Sequence, residues 1–197
     1  MMTHVPIVFV DVETTGLSAR DGRVIELGMV RVENGSITAT YNQLLDPGMD
    51  VSWQTTRITG IRNDDVFGKP QFRAVIDEIE NFLQGALFAA HNVDFDYGFM
   101  KEEFARNGAR LSMDRFCTAM LSRKLYPEHR SHALDRIIER HGYSVKSRHR
   151  ALDDAMVITQ FFNEHTERDF DRTFKIITKI MRRSLLKKPH TSYIPFV

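Results

Sequence analysis

The stretch "VPIVFVDVE", Val5 to Glu13, decides how the rest of the chain is read. It is a nearly continuous run of β-branched and aromatic residues, as expected of a strand buried on both faces. Alternate residues of a strand share a face, so Asp11 and Glu13 point the same way as Ile7 and Phe9. Two like charges side by side at the end of a buried strand repel and are costly to desolvate. A hard divalent cation with oxygen ligands removes that cost. The other reading has the strand already emerged into solvent at Asp11, leaving two merely hydrophilic acids.

Working outward, Glu33-Asn34-Gly35-Ser36 lies between two alternating runs and predicts a hairpin. A polar, turn-rich stretch follows Pro47 and runs through Lys69. Phe72, Val75, Ile76, Ile79, Phe82 and Leu83 then fall at helical spacing, bounded by Pro70 and Gly85. "ALFAAHN" is short and strand-like, "VDFDYGFMKEEFARNG" is a helix ending at Gly108, and a weak strand lies near Arg115–Cys117. Helical segments follow around 118–125, 132–141 and 150–164. Early antiparallel strands and later β–α alternation predict an α/β fold, a mixed sheet flanked by helices.

A chain of 197 residues, 42% hydrophobic and 27% charged, fits one globular domain. Its apolar runs are too short to cross a bilayer, and "MMTHVPIVFVDVE" lacks the basic n-region of a signal peptide. The single cysteine, Cys117, excludes an internal disulfide framework and a cysteine-rich zinc site, and a reducing cytoplasm is the simplest location. Residues 172–197 hold seven Lys/Arg (Arg172, Lys175, Lys179, Arg182, Arg183, Lys187, Lys188) and no acid. Subtracting these seven from the chain's +1 leaves about −6 on residues 1–171, a mildly acidic body with a basic tail.

Two helices also carry inward acids. Phe99, Met100 and Phe104 lie three, four and eight positions beyond Asp96, so Asp96 shares the apolar stripe. Asp94 lines up with Gly98 and Lys101, where an N-cap or first-turn acid is favoured. In "RHRALDDAMVITQFF", Arg148 to Phe162, Asp154 aligns with Ala151, Ile158 and Phe161. Asp153 aligns with His149, Arg150, Val157 and Gln160. Asp154 therefore faces in and Asp153 out. A buried hydrogen bond neutralising Asp96 is the other reading there, but four carboxylates converging on one or two cations accounts for all three elements.

With those residues in view, "FVDVETTGL", "AHNVDFDYGFM" and "HRALDDA" resemble the three motifs of the DEDDh 3′–5′ exonucleases, particularly the proofreading (epsilon-type) branch of bacterial DNA polymerase III. The resemblance covers roughly residues 5 to 164 in order, with "ITGI", "LYP" and "HALDRIIERHG" also in place. It implies an RNase H-like fold with a five-stranded mixed sheet. It also implies two divalent cations, Mg²⁺ or Mn²⁺, and release of nucleoside monophosphates from a DNA 3′ end. Asp11, Glu13, Asp96 and Asp154 match the metal-site acids. His149, five positions before Asp154, matches the general base; the tyrosine subgroup would have Tyr where this chain has Arg150. Five helical residues turn side chains about 140° apart, so His149 belongs at or before the helix start. Imidazole, with an ordinary pKa of about 6.5, suits a base near neutral pH. The family likeness further suggests that Thr14, Thr15, Gly16 and Leu17 cradle the terminal nucleotide, with Leu17 as a wedge. Ile58, Thr59, His91, Asn92 and Phe95 would border the same pocket.

These expectations divide the chain into an exonuclease domain, 1–171, and a basic amphipathic C-terminal helix and tail, 172–197. Phe174, Ile177, Ile180, Met181 and Leu185 lie along one face of that helix, which Pro189 ends. It could hold nucleic acid electrostatically, dock on a DNA polymerase subunit, or pack on its own domain. Two other functional readings stand beside the main one: an RNA-directed exoribonuclease resembling RNase T or oligoribonuclease, and a non-catalytic polymerase-binding module. His129 and His132 suggest a zinc pair, but with no matching cysteines they read as a solvated loop.

Overall fold

In the computed structural model, which describes residues 5–186 and side chains through Met181, β1 (Ile7–Thr14) is the central strand of a five-stranded sheet. On one side it pairs antiparallel with β2 (Val24–Glu33), which pairs antiparallel with β3 (Ser36–Leu44). On the other it pairs parallel with β4 (Leu87–Ala90), which pairs parallel with β5 (Arg115–Cys117). The order is β3-β2-β1-β4-β5, the expected mixed sheet. Asn34 and Gly35 close the β2–β3 hairpin with φ of 51° and 78°. A two-residue turn with both centres left-handed matches the twist of the flanking strands, and Asn-Gly tolerates it best.

The alternation along β1 divides the core. Val8, Val10 and Val12 join Leu27, Met29, α3 (Phe72–Leu83) and α4 (Val93–Arg106) on one face. Ile7 and Phe9 join Val30 and Val32 on the other, under α5 (Thr118–Leu125), α6 (Leu134–His141), α7 (Ala151–Arg168) and α8 (Phe170–Leu186). Val8, Phe9 and Val10 are fully buried, contributing roughly 1.5–3 kcal/mol each. Asp11 and Glu13 continue the Ile7–Phe9 series and so lie on the α7 face.

The stretch expected to be polar turns contains two short helices, α1 (Trp53–Thr59) and α2 (Asn63–Val66). Neither has an amphipathic stripe long enough to read. The Ser52 hydroxyl caps α1 by accepting from the Thr55 N–H at 3.2 Å, and Val51, Ile61 and Val66 bury against Ile25. In α8, Ile177 and Ile180 are buried and the helix packs on α7, α5 and β5. The helix end expected at Pro189 and the charges of Lys187 and Lys188 lie outside the described residues, as do the side chains of Arg182, Arg183 and Leu185. No helix among the described residues is long and apolar enough to cross a membrane.

His132 departs from the solvated-loop reading. It is buried, with Nδ1 2.8 Å from the Ser122 hydroxyl and Nε2 3.0 Å from the His129 carbonyl. The segment before α6 folds inward, so the ring serves as a polar bridge within the core.

Candidate active site

The site forms where β1 outruns β4. The β1–β4 register covers Ile7 to Phe9, so the end of β1 is not covered by that neighbour. Asn92, at φ 76°, turns the chain from β4 directly into α4, and Asp96 lies in the first turn. Its Oδ1 accepts the N–H of Val12 at 3.2 Å, which anchors α4 to β1. Asp96 is 3% exposed. Asp94 points to solvent and reaches Arg115 at 3.6 Å.

From the opposite face, α7 delivers Asp154, which is also buried. Two residues of β2 make this possible. Gly28, the cross-strand partner of Asp11, lies directly beneath the start of α7. A Cβ there would come within 2.2 Å of the Ala151 and Leu152 backbone, so only glycine permits this approach. Glu26, partner of Glu13, is fully buried. It accepts from Arg150 Nε at 3.1 Å and Nη2 at 2.8 Å, and from the Ala151 N–H at 3.1 Å. That carboxylate fixes both the position and the rotation of the helix start.

His149 stands just outside α7 with φ 58°, an uncommon backbone for a residue with a Cβ. Its N–H donates to Asp154 Oδ2 at 3.3 Å. Glu13, His149 and Asp154 each offer one donor atom, all within 4.8 Å of one another. Arg148 donates to Asp154 Oδ1 and, through Nε, to Asp135 Oδ1 at 2.6 Å.

The electrostatics reflect crowding of like charges. Burial raises the Asp11 carboxyl well above its usual range, and the charges of Asp96, Asp154 and Glu13 raise it further. Glu13 is pushed up to about 7 by burial, Asp154 and Glu26, against Arg148 and Arg150. Asp96 reaches about 8, burial outweighing its backbone hydrogen bonds. Burial also raises Asp154, while Arg148 opposes it. An all-carboxylate donor set whose members repel one another, with one imidazole at its edge, fits a hard divalent cation.

The remaining residues predicted from the sequence differ in exposure and in the partners they engage. Thr14 and Thr15 follow the acids, but their hydroxyls hold the loop. Thr14 Oγ1 donates to the Gly16 carbonyl at 2.6 Å, and Thr15 Oγ1 accepts from the Arg23 N–H at 3.0 Å. Leu17 projects into solvent, 90% exposed. Ile58 is exposed on α1, whereas Thr59 is buried, its hydroxyl donating to the Thr55 carbonyl. His91 has both ring nitrogens engaged, with Thr118 Oγ1 at 3.1 Å and the His132 carbonyl at 2.8 Å. Burial drops its pKa to about 4. Phe95 packs on Phe99 with ring centroids 4.9 Å apart. Arg148, Glu26 and Gly28 were not anticipated. A glycine within the β-branched run of β2 was the one visible signal for the close approach at Gly28.

The exonuclease family model matches residues 8–162. The chain belongs to the exonuclease family. It is therefore a phosphodiester hydrolase, of a family that works with divalent metal ions. Among relatives, the PolC-type DNA polymerase III of Latilactobacillus sakei subsp. sakei (strain 23K) is 38% identical over 149 residues. That match covers 75% of this chain and 10% of the relative. The PolC-type DNA polymerase III of Streptococcus agalactiae serotype III (strain NEM316) is 33% identical over 184 residues, covering 90% and 12%. The chain thus spans about a tenth of the length of these polymerases. The nuclease domain of 3′hExo, a DEDDh family member bound to rAMP, superposes with a TM-score of 0.72 at 17% identity. It covers 85% of this chain and 94% of that one. Exonuclease X in complex with 5′ overhanging duplex DNA gives 0.65 at 24% identity, covering 83% and 92%. These likenesses establish the exonuclease as RNase H-like in fold.

Proposed function

We propose that this exonuclease is a metal-dependent 3′–5′ enzyme that releases nucleoside monophosphates from single-stranded or frayed DNA ends, as a proofreading activity beside a DNA polymerase. The convergence of acids from β1, α4 and α7 beside His149 carries this reading. Asp11, Glu13, Asp96 and Asp154 would hold two cations, Mg²⁺ or Mn²⁺. When bound, such ions polarise the scissile phosphate, activate water and stabilise the leaving 3′-oxygen. His149 accepts the proton of the attacking water. The Thr14–Leu17 turn lies against the terminal nucleotide. The Thr55 hydroxyl donates to the Thr15 carbonyl at 3.1 Å and docks α1 beside that turn. Exposed Leu17, Trp53 and Ile58 then offer apolar surface on which unpaired bases can stack. The proofreading role is supported by the PolC-type relatives. A cytoplasmic location accords with it, as does the free, buried Cys117.

The test uses 3′- and 5′-labelled single-stranded DNA and RNA with Mg²⁺, Mn²⁺ or chelator, comparing the wild type with Asp11→Asn. Expected is stepwise loss of the 3′ label from DNA, abolished by chelator and by the substitution. Faster turnover of RNA would make the enzyme an exoribonuclease. No cleavage by folded protein would leave a binding module.

A further inference from the structure

A second cluster of ligating side chains lies on α7 beyond the acidic site. Glu164 lies ten positions beyond Asp154, roughly 15 Å along the helix axis. Here His141, at the end of α6, meets Glu164 and His165, and each offers one ligand atom within 4.8 Å of the others. This donor set differs in kind from the first: two imidazoles and a carboxylate suit Zn²⁺ and its neighbours, whereas Mg²⁺ prefers oxygen alone.

The surroundings are built as they would be around an ion. His165 is 4% exposed, and its Nδ1 lies 2.7 Å from the Phe161 carbonyl. A carbonyl only accepts, so Nδ1 carries the proton and Nε2 keeps the lone pair, covered at 2.7 Å by the Tyr126 hydroxyl. Glu164 accepts from Tyr143 through Oε2, and its Oε1 lies 3.2 Å from His141 Nδ1. Orienting bonds of this kind, from a backbone carbonyl and a neighbouring hydroxyl, accompany metal ligands generally. The decisive observation is His141 itself. Its side chain is 8% exposed, and its Nε2 is buried with no hydrogen-bond partner. A buried ring nitrogen without a partner carries a desolvation cost, and an ion taken up by turning this ring, whose Nδ1 now faces Glu164, would remove it. Glu164 is 40% exposed, so the cluster opens to solvent on one side.

We propose that His141, Glu164 and His165 form a transition-metal site of the Zn²⁺ class, separate from the acidic site, that ties the end of α6 to α7. The Tyr126 hydroxyl yields its position on His165 when the ion enters. His141 immediately precedes the segment 142–150 that leads to Arg148 and His149, so the ion fixes one end of that segment.

The experiment titrates full-length protein with Zn²⁺ under excess Mg²⁺, reading stoichiometry by elemental analysis after dialysis and stability by thermal melts. Asp154→Asn disables the acidic site and is expected to retain one zinc per chain. At a hundredfold excess over Kd the melting temperature rises by roughly 5–10 °C. X-ray absorption at the zinc edge shows nitrogen ligands at about 2.0–2.1 Å. His141→Gln loses that equivalent, and Tyr143→Phe weakens binding about 10–100-fold. The proposal is overturned if Asp154→Asn binds no zinc, or if His141→Gln binds as the wild type does. Should His141→Gln fail to fold, Tyr143→Phe and Glu164→Gln decide: unchanged affinity in both overturns the site.

Discussion

At the scale of single residues, His149 joins two unusual features. Its backbone is left-handed, which costs a non-glycine residue roughly 1–2 kcal/mol, and a ring nitrogen lies within 4.8 Å of carboxylate oxygens of Glu13 and Asp154. The same strained residue sends its N–H to Asp154, so the turn positions an acid and a base together. Asparagine tolerates this backbone but supplies no base at neutral pH. His149→Asn should therefore keep the fold and the Mg²⁺-induced rise in melting temperature, while kcat on labelled DNA falls about 10²–10⁴-fold. An unchanged rate would remove His149 from the base role. The inward aspartates were legible because helical and strand periods assign each side chain a direction from sequence alone. Arg148 was not legible. Its bonds to Asp154 and Asp135 depend on how a non-helical segment folds back, and no period governs that.

At the scale of elements, the site depends on how closely α7 approaches β2. Gly28→Ala puts a methyl into the Ala151–Leu152 backbone, where no flexible side chain can yield. The expected outcome is a loss of about 1–3 kcal/mol in denaturant unfolding, with activity lost because Asp154 moves with the helix. Gly16 is the matched contrast: a Cβ there meets nothing within 4 Å, and its φ is not in the left-handed region. Gly16→Ala should leave stability within about 0.5 kcal/mol yet raise KM for DNA if the turn lies against the nucleotide. A KM equal to wild type would take Gly16 out of the substrate contact. The elements themselves were unevenly legible. α3 was plain because Phe72, Val75, Ile79 and Leu83 repeat the helical period and are all buried. α1 and α2 were not, since seven residues held by a cap and the Thr55–Thr15 bond, and four held by a capping box and the burial of Val66, leave too short a pattern to count. The Glu26–Arg150 pairing spans 124 residues, so neither partner signals the other locally.

At the scale of the whole molecule, the acids belong to both layers: Asp96 comes from the α4 face of the sheet, Asp154 from the α7 face, and β1 runs between them. Without a cation, this arrangement opposes folding as the acids ionise. Glu13 is raised to about 7 and Asp96 to about 8, against ordinary carboxyl values near 4. Between those limits the folded state holds protons that the unfolded chain has released. The favourable contribution of these groups is full below pH ~4 and is lost as pH rises through 7 to 8. His91 acts in the opposite sense. Its folded pKa of about 4 lies below the ordinary imidazole value, so its contribution is full above pH ~6.5 and is lost as pH falls toward 4. A divalent cation competes with protons for the acids but leaves the His91 contribution in place. The Mg²⁺-induced rise in melting temperature should therefore be small near pH ~5 and grow to several degrees near pH ~8, because binding requires the deprotonated carboxylates. Thermal melts with Mg²⁺ and with chelator, across that range and in Asp154→Asn, measure the increment directly and cancel the His91 background. An increment independent of pH, or one that survives Asp154→Asn unchanged, would mean that Mg²⁺ stabilises the protein elsewhere and that the two layers meet at β1 without a cation between them.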